Sequence, residues 1–399
     1  MHKFLARRLA ALPANSSHFL YSRSHYGHSP TNLPNFAHEW QILARITASM
    51  GVAHGMLTKR SRNTIYNTRN TLPLMRSPSL RRLAAALLAF AAIAPLTHAA
   101  IKVAYSDWPG YTVLEVAKQK DWFKQAGIDV DLVWFDYLPS IDAFSANKVD
   151  AVTIVATDAL VTGASGGKSK IIALLDFSEG SDMIVGKPGI ESIKDLKGKK
   201  VGVEVTLVEH LLLLEALKAN GMTQADVQLV NTATNETPQT LASGSVAAVG
   251  AWYPISGQAL KQVAGSKKLF TSADAKGLIY DVLAVNPTSY ATHKEEWQKF
   301  VSIYYKCVAY LQDPATREDA VKIMAAKVGA NAADYGQNIP GTHFLNLVEA
   351  KAAFKKGTGL DSIYGSMTLG NKFNLDNNVY KDSQKPEAYL APSIVEGLK

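Results

Sequence analysis

From Ile101 onward the chain alternates short apolar runs with longer stretches whose apolar residues recur every three or four positions. Ile101 to Tyr105 alternates as a strand, Ser106 to Gly110 makes a turn, and Tyr111 to Gln119 carries Val113, Leu114, Val116 and Ala117 as a helix would. Gly127 closes the next helical segment, and Ile128 to Asp136 alternates again. Pro139 to Ala146 reads as a helix, and Val149 to Val155 and Lys170 to Asp176 read as buried strands. Such alternation predicts an α/β fold with largely parallel sheets.

The same order then recurs. The stretch from Lys199 to Asn220, KKVGVEVTLVEHLLLLEALKAN, is a short strand, a turn through Glu204, and a helix from Thr206 that Gly221 stops. Thr206 and Glu209 have capping-box spacing. Lys102-Val103 with its turn and helix parallels Lys200-Val201, and AFSANKVDAV (143–152) parallels TLASGSVAAV (240–249). Lys102 lies 47 residues before Val149, and Lys200 lies 46 before Val246. Two similar lobes are therefore expected, the first from 100–187 and 286–399, the second from 188–285. Lys187 to Lys199 has the Pro, Gly and charge of a crossover, and Leu278 to Pro287 is an apolar strand ending in a second one. After Pro287 the pattern is helical, and these helices should pack back on the first lobe.

Charge changes the picture of the N-terminal quarter. The chain of 399 residues has a formal charge of +8, yet residues 1–74 hold nine Lys or Arg and one acid, and 75–100 add Arg76, Arg81 and Arg82. Residues 101–399 carry 30 basic and 33 acidic side chains, a net of −3. Nothing there favours nucleic acid or an anionic membrane surface. MRSPSLRR from Met75, the apolar run Leu83 to Leu96, and small residues before Ala100 predict a secretory signal peptide over 75–99. Residues 1–74 are then an upstream extension from a mis-assigned start, the rival reading being a transit-like leader. The lone Cys307, in an apolar helical stretch, excludes an intramolecular disulfide and a multi-cysteine metal site.

IKVAYSDWPGYTVLEVAKQKDWFKQAGIDV, SANKVDAV, IKDLKGKKVGVE and LASGSVAAVGAWYP, in that order, resemble the solute-binding proteins of nitrate/sulfonate/taurine (NitT/TauT) ABC importers. The phrases DWPGY, TDALVTGA, GVEVTLVEHLLL, NETPQ and GAWYP are most similar to the subgroup found with urea and guanidine carboxylation genes. The resemblance implies a two-lobed periplasmic-binding-protein type II fold with two crossovers. It also implies a periplasmic, non-enzymatic monomer without cofactor or metal that delivers a small ligand to an inner-membrane permease. Closure on the ligand is then a population shift driven by contacts to both lobes.

Ligands of open α/β sheets sit beyond the C-terminal ends of strands. The candidates there are Trp108, Tyr111, Asp136, Thr157 and Asp158 in the first lobe and Glu204, Thr206, Trp252, Tyr253 and Asp281 in the second, with Asp107, Tyr137, Asn235 and Glu236 nearby. Acids and aromatic rings dominate this set, whereas an anion site favours bare backbone N–H groups at a helix start. Residues 101–399 contain one arginine, Arg317. Carboxylates can take paired N–H bonds from a guanidinium-like fork, and Trp108 and Trp252 can stack on a flat cation. The expected ligand is a small planar nitrogen compound, guanidinium first and urea second.

Plainer roles compete for several of these residues. Glu204 can be a first-turn acid in solvent, Glu209 a capping partner, His210 a packed or surface residue, Asp158 a helix cap, Asp107 a turn residue, and Trp252 and Trp134 core. Two other functions also compete. A receptor for aliphatic sulfonates or taurine would need an anion pocket. A thiamine pyrimidine precursor synthase would need a cysteine-rich iron site, which this sequence lacks. HExxH and CxxC are absent as well.

Overall fold

The computed structural model describes residues 100–399, and the leader and signal peptide expected over 1–99 lie outside them. The described residues form two separate sheets. The first contains β1 (Ile101–Tyr105), β2 (Val130–Trp134), β3 (Ala151–Val155), β4 (Lys170–Ser178), β10 (Tyr280–Val285) and β11 (Thr342–Phe344), in the order β11-β4-β10-β3-β1-β2. The second contains β5 (Met183–Gly186), β6 (Lys200–Val203), β7 (Gln228–Asn231), β8 (Ala248–Ala251) and β9 (Lys267–Thr271), in the order β7-β6-β8-β5-β9.

The internal repeat is visible in the pairing. Val103 lies opposite Ala151 in the first sheet, and Val201 opposite Ala248 in the second. The same bond precedes both β3 and β8: the Asp150 N–H donates to the Lys102 carbonyl and the Ala247 N–H to the Lys200 carbonyl, each at 2.8 Å. Central strands such as AVTIV of β3 are buried along their whole length, as strands covered on both faces must be. Edge strands β2 and β7 stay partly exposed. Trp134, expected in the core, lies on β2 with 36% exposure and packs its ring under the Lys327 ammonium, 4.3 Å away. An edge strand has one neighbour, so an alternating pattern there leaves one face to solvent.

The chain crosses between the sheets twice, and both crossings lie earlier than the sequence reading placed them. The first lies between the end of β4 at Ser178 and the start of β5 at Met183, which puts 183–186 in the second lobe. The second lies between β9 and β10, which puts 280–285 in the first. Lys187 to Lys199 instead stays within the second lobe, with a capped 3-10 turn at Ile193–Leu196. Strands β5 and β10 run antiparallel to their neighbours β8 and β3, because each enters its sheet from the crossing side. The crossings are tied together: the Ser178 and Ser272 hydroxyls are 2.6 Å apart, and the Ser272 N–H donates to the Asp182 carbonyl at 2.9 Å.

Helices finish the first lobe, as expected. α1 (Pro109–Thr112) and α2 (Tyr137–Ser145) follow β1 and β2, α3 (Ala156–Ala164) follows β3, and α4 (Val208–Ala219) follows β6 in the second lobe. The C-terminal helix α5 (Ile363–Asp376) packs on α3 with Gly370 against Thr157, whose methyl group a β-carbon at Gly370 would meet at 2.2 Å. Among the described residues no helix is long and apolar enough to cross a membrane.

Candidate ligand-binding site

The C-terminal ends of β1, β3, β6 and β8 and the N-terminal ends of β5 and β10 converge between the sheets. The lobes are joined there directly. The Trp252 indole N–H donates to Asp107 Oδ1 at 3.0 Å, the Val208 N–H to Asp158 Oδ2 at 3.3 Å, and the Asn235 amide to Asp136 Oδ2 at 3.1 Å. A small cavity of about 10 Å³, the scale of one buried water, lies between them, walled by Trp108, Tyr111, Tyr137, Asp182, Trp252 and Asp281.

Two carboxyl groups, those of Asp182 and Asp281, line this cavity, and others lie around it. Asp158, Asp176, Asp182, Glu204, Glu209 and Asp281 are all at most 6% exposed, and Asp107 adjoins them. Among the described residues, no lysine, arginine or histidine forms an ion pair with any of the seven. Oxygens of Asp176, Asp182, Glu204, Glu209 and Asp281 are buried without a hydrogen-bond donor. Burying unpaired carboxylates is costly, and folded chains seldom tolerate it outside functional sites.

The cost shows in the protonation equilibria. Burial pushes Asp107 up to about 6, against the bond from Trp252 that favours its charged form. Burial pushes Asp158 up to about 7, opposed by bonds from Tyr137 (2.8 Å) and Val208 and reinforced by the charges of Glu204 and Asp182. Glu204 also rises to about 7 through burial, although it accepts the Thr234 N–H at 3.2 Å. Glu209 and Asp281 are driven well above the carboxylate range by burial, then by the neighbouring charges of Asp182 and Asp176 respectively.

The expected site residues divide clearly. Trp108, Tyr111, Trp252 and Asp281 border the cavity, Trp108 donating its indole N–H to Asp176 at 2.8 Å and Tyr111 its hydroxyl to Asp281. Asp158 stands beside them and does not cap its own helix, since α3 begins at Ala156 with Val155 as its cap position; its carboxylate instead accepts the first N–H of α4, at Val208. Glu204 is buried, contrary to the solvent-facing alternative. Asp136 is exposed at the rim and joins the lobes through Asn235, while Thr157 faces α5 and Tyr253 packs its ring 5.5 Å from that of Tyr335, both outside the cavity lining.

Thr206 and Glu209 require a correction. Thr206 has φ of 79°, in the left-handed region, and α4 starts two residues later without a side-chain cap. The capping box is therefore not formed, and Glu209 is fully buried with both carboxyl oxygens free of donors. His210, by contrast, is packed as one alternative had it, its Nε2 lying 2.9 Å from Gln224 Oε1.

Asp176 and Asp182 are the acids that sequence reasoning missed, and Glu209 is the one it assigned to a cap. Asp176 lies directly opposite Asp281 on paired strands. Asp182 occupies a crossing that looks like an ordinary polar loop, SEGSD. A signal existed: in LLDF and IYDV, Asp176 and Asp281 each interrupt an apolar run that otherwise reads as a fully buried strand.

Two glycines make room for these acids. A β-carbon at Gly110 would lie 1.7 Å from Asp176 Oδ2, and one at Gly250 would lie 3.0 Å from Glu209 Oε2. Gly110→Ala should therefore displace the Asp176 carboxyl, break its bond with Trp108, and destabilise the protein by about 1–3 kcal/mol. Denaturant titration measures this; an unchanged midpoint would mean that Asp176 relocates freely.

The comparisons with known proteins agree with this architecture. A segment of 176 residues is 32% identical to a putative binding protein of Brucella abortus, covering 44% of this chain and 54% of that protein. The chain thus spans about half the length of the curated relatives it matches. Among solved structures, the ligand-binding component of an ABC-type import system from Staphylococcus aureus superposes with a TM-score of 0.63 at 17% identity, over 75% of this chain and 99% of that one. The alkanesulfonate-binding protein SsuA from Xanthomonas axonopodis, bound to MOPS, gives 0.63 at 16% identity, over 74% and 99%. These likenesses show the fold. The NMT1/THI5-like family model matches residues 108–316, just over half of the 399, and the chain belongs to that family.

Proposed function

We propose that this protein is the periplasmic solute-binding component of an ABC importer and that its cleft takes a small nitrogen compound, guanidinium first and urea second. The carrying observation is that Asp182 and Asp281 line the small cavity between the lobes while Asp107, Asp158, Asp176, Glu204 and Glu209 lie around it, none of the seven with an ion-pair partner among the described residues. A cation supplies the missing counter-charge, and a planar one carrying N–H groups on every edge can satisfy several carboxylate oxygens at once. The indole rings of Trp108 and Trp252 add apolar walls on which a weakly hydrated cation gains about 0.5–2 kcal/mol.

Likeness to sulfonate-binding proteins favours a second reading, an aliphatic sulfonate or taurine receptor. The acids speak against it, because a sulfonate there would face carboxylates rather than donors. A synthase-type reaction is disfavoured too: Cys307 is fully buried, its thiol pushed up to about 12 by burial.

Thermal unfolding against guanidinium, urea, taurine, methanesulfonate and nitrate at low millimolar concentration tests the ligand class. A ligand at 100 times its dissociation constant adds about 2.7 kcal/mol of stability. Guanidinium should raise the midpoint and the anions should not; stabilisation by sulfonates alone contradicts the cation reading. Glu204→Gln should then weaken guanidinium binding about tenfold or more. Unchanged affinity would place Glu204 outside the ligand's reach.

A further inference from the structure

The buried acids do not form one undivided cluster. Asp176 and Asp281 are cross-strand partners on β4 and β10 in the first lobe, their carboxyls within hydrogen-bond reach of each other. Asp182, at the entry to β5, and Glu209, on α4, form the matching pair in the second lobe. Each pair is seated against a glycine that leaves it room, Gly110 for Asp176 and Gly250 for Glu209. The pairs face each other across the crossings, since the charge of Asp182 acts on both Asp176 and Asp281.

Among the described residues, the surroundings of both pairs offer no ion-pairing positive charge. Trp108, Tyr111 and Tyr304 pack around the first pair, with the Tyr111 hydroxyl donating to Asp281. Glu204 and Asp158 face the second. Two carboxyls in contact without a cation cannot both ionise cheaply, so one proton stays between them. A buried oxygen of each of the four residues still lacks a donor, which leaves acceptors facing inward for a ligand.

We propose that each lobe presents one proton-sharing carboxyl pair, Asp176–Asp281 and Asp182–Glu209, and that a monocation binding across both pairs displaces one of these protons to solvent. This rests on the cation reading above. The exchange is balanced: one cation enters, one proton leaves, and the net charge of the site is unchanged. Each pair titrates as a unit, with one carboxyl driven well above the usual range and its partner raised to about 7 (Asp176) or about 6 (Asp182). The arrangement gives both lobes a share in one ligand, so closure and selectivity for charge have the same origin. Neutral urea, which displaces no proton, should bind more weakly and without proton release.

The test has two arms on the purified protein. Infrared spectroscopy at pH 7 counts protonated carboxyls without ligand; Glu209→Gln and Asp281→Asn should each remove carboxylic-acid carbonyl absorbance. Absorbance unchanged in both variants overturns the pairs, whatever the ligand. Calorimetric titration of guanidinium chloride in buffers of different ionisation enthalpy should give about one proton released per cation bound. Guanidinium binding with buffer-independent heat overturns the exchange while leaving the cation reading intact. Failure of guanidinium to bind, together with tight binding of methanesulfonate, overturns both.

Discussion

Asp281→Asn is expected to weaken guanidinium binding by about a hundredfold or more, while the ligand-free protein at pH 8 unfolds at the same or a higher temperature. Asp281 is 1% exposed within an apolar strand, faces Asp176, and has one buried oxygen with no donor. Asparagine preserves shape and can still accept the Tyr111 hydroxyl, so packing should survive. What disappears is the charge, and with it the repulsion in the empty cleft and the attraction in the filled one. Titration calorimetry and thermal unfolding on the same sample separate the two effects. Retained affinity would remove Asp281 from the site, and a large loss of stability would make its role structural.

The second large effect is the pH dependence of stability. Burial raises Asp107 and Asp182 to about 6, and Asp158, Asp176 and Glu204 to about 7, above their values in the unfolded chain near 4. Between pH 4 and 7 the folded protein therefore holds more protons than the unfolded one, and its stability falls as pH rises. Asp158 alone, moved from 3.8 to about 7, corresponds to roughly 4 kcal/mol across that window. Exposed capping carboxylates such as Asp195 and Asp226 are lowered by their backbone bonds and act in the opposite sense below pH 4. The ligand-free protein should thus be most stable on the acid side of neutrality, and guanidinium should restore stability most strongly at pH 8. Unfolding midpoints from pH 4 to 8 check this; stability rising steadily to pH 8 without ligand would contradict it.

Much of the fold is legible in the sequence because the two lobes repeat one pattern at nearly one spacing. The periodicities that define β1, β3, β6 and β8 are dictated by burial on both faces, and burial acts on apolar residues that anyone can read. The crossings were harder. Their strands β5 and β10 look like any apolar strand, and nothing local says which sheet they join; pairing with β8 and β3 decides that. The candidate site is legible where a residue follows a strand that runs toward the cleft, as with the proposed residues Trp108, Asp158 and Glu204. It was obscure where an antiparallel strand enters from the cleft, which is why Asp182 went unseen. Glu209 is obscure for a different reason: a helix-start acid three residues after a threonine is ordinarily a cap partner, and the left-handed turn at Thr206 moves the helix start to Val208, out of capping register with that threonine.

The central claim is that the cleft is built for positive charge. Its most direct test is calorimetric titration of guanidinium and of methanesulfonate into the same protein at pH 6 and pH 8. Guanidinium should bind at both, about a hundredfold more tightly at pH 8 because one proton leaves per cation bound over two pH units, and methanesulfonate should not bind. Binding of methanesulfonate that tightens at pH 6, with none of guanidinium, would contradict it.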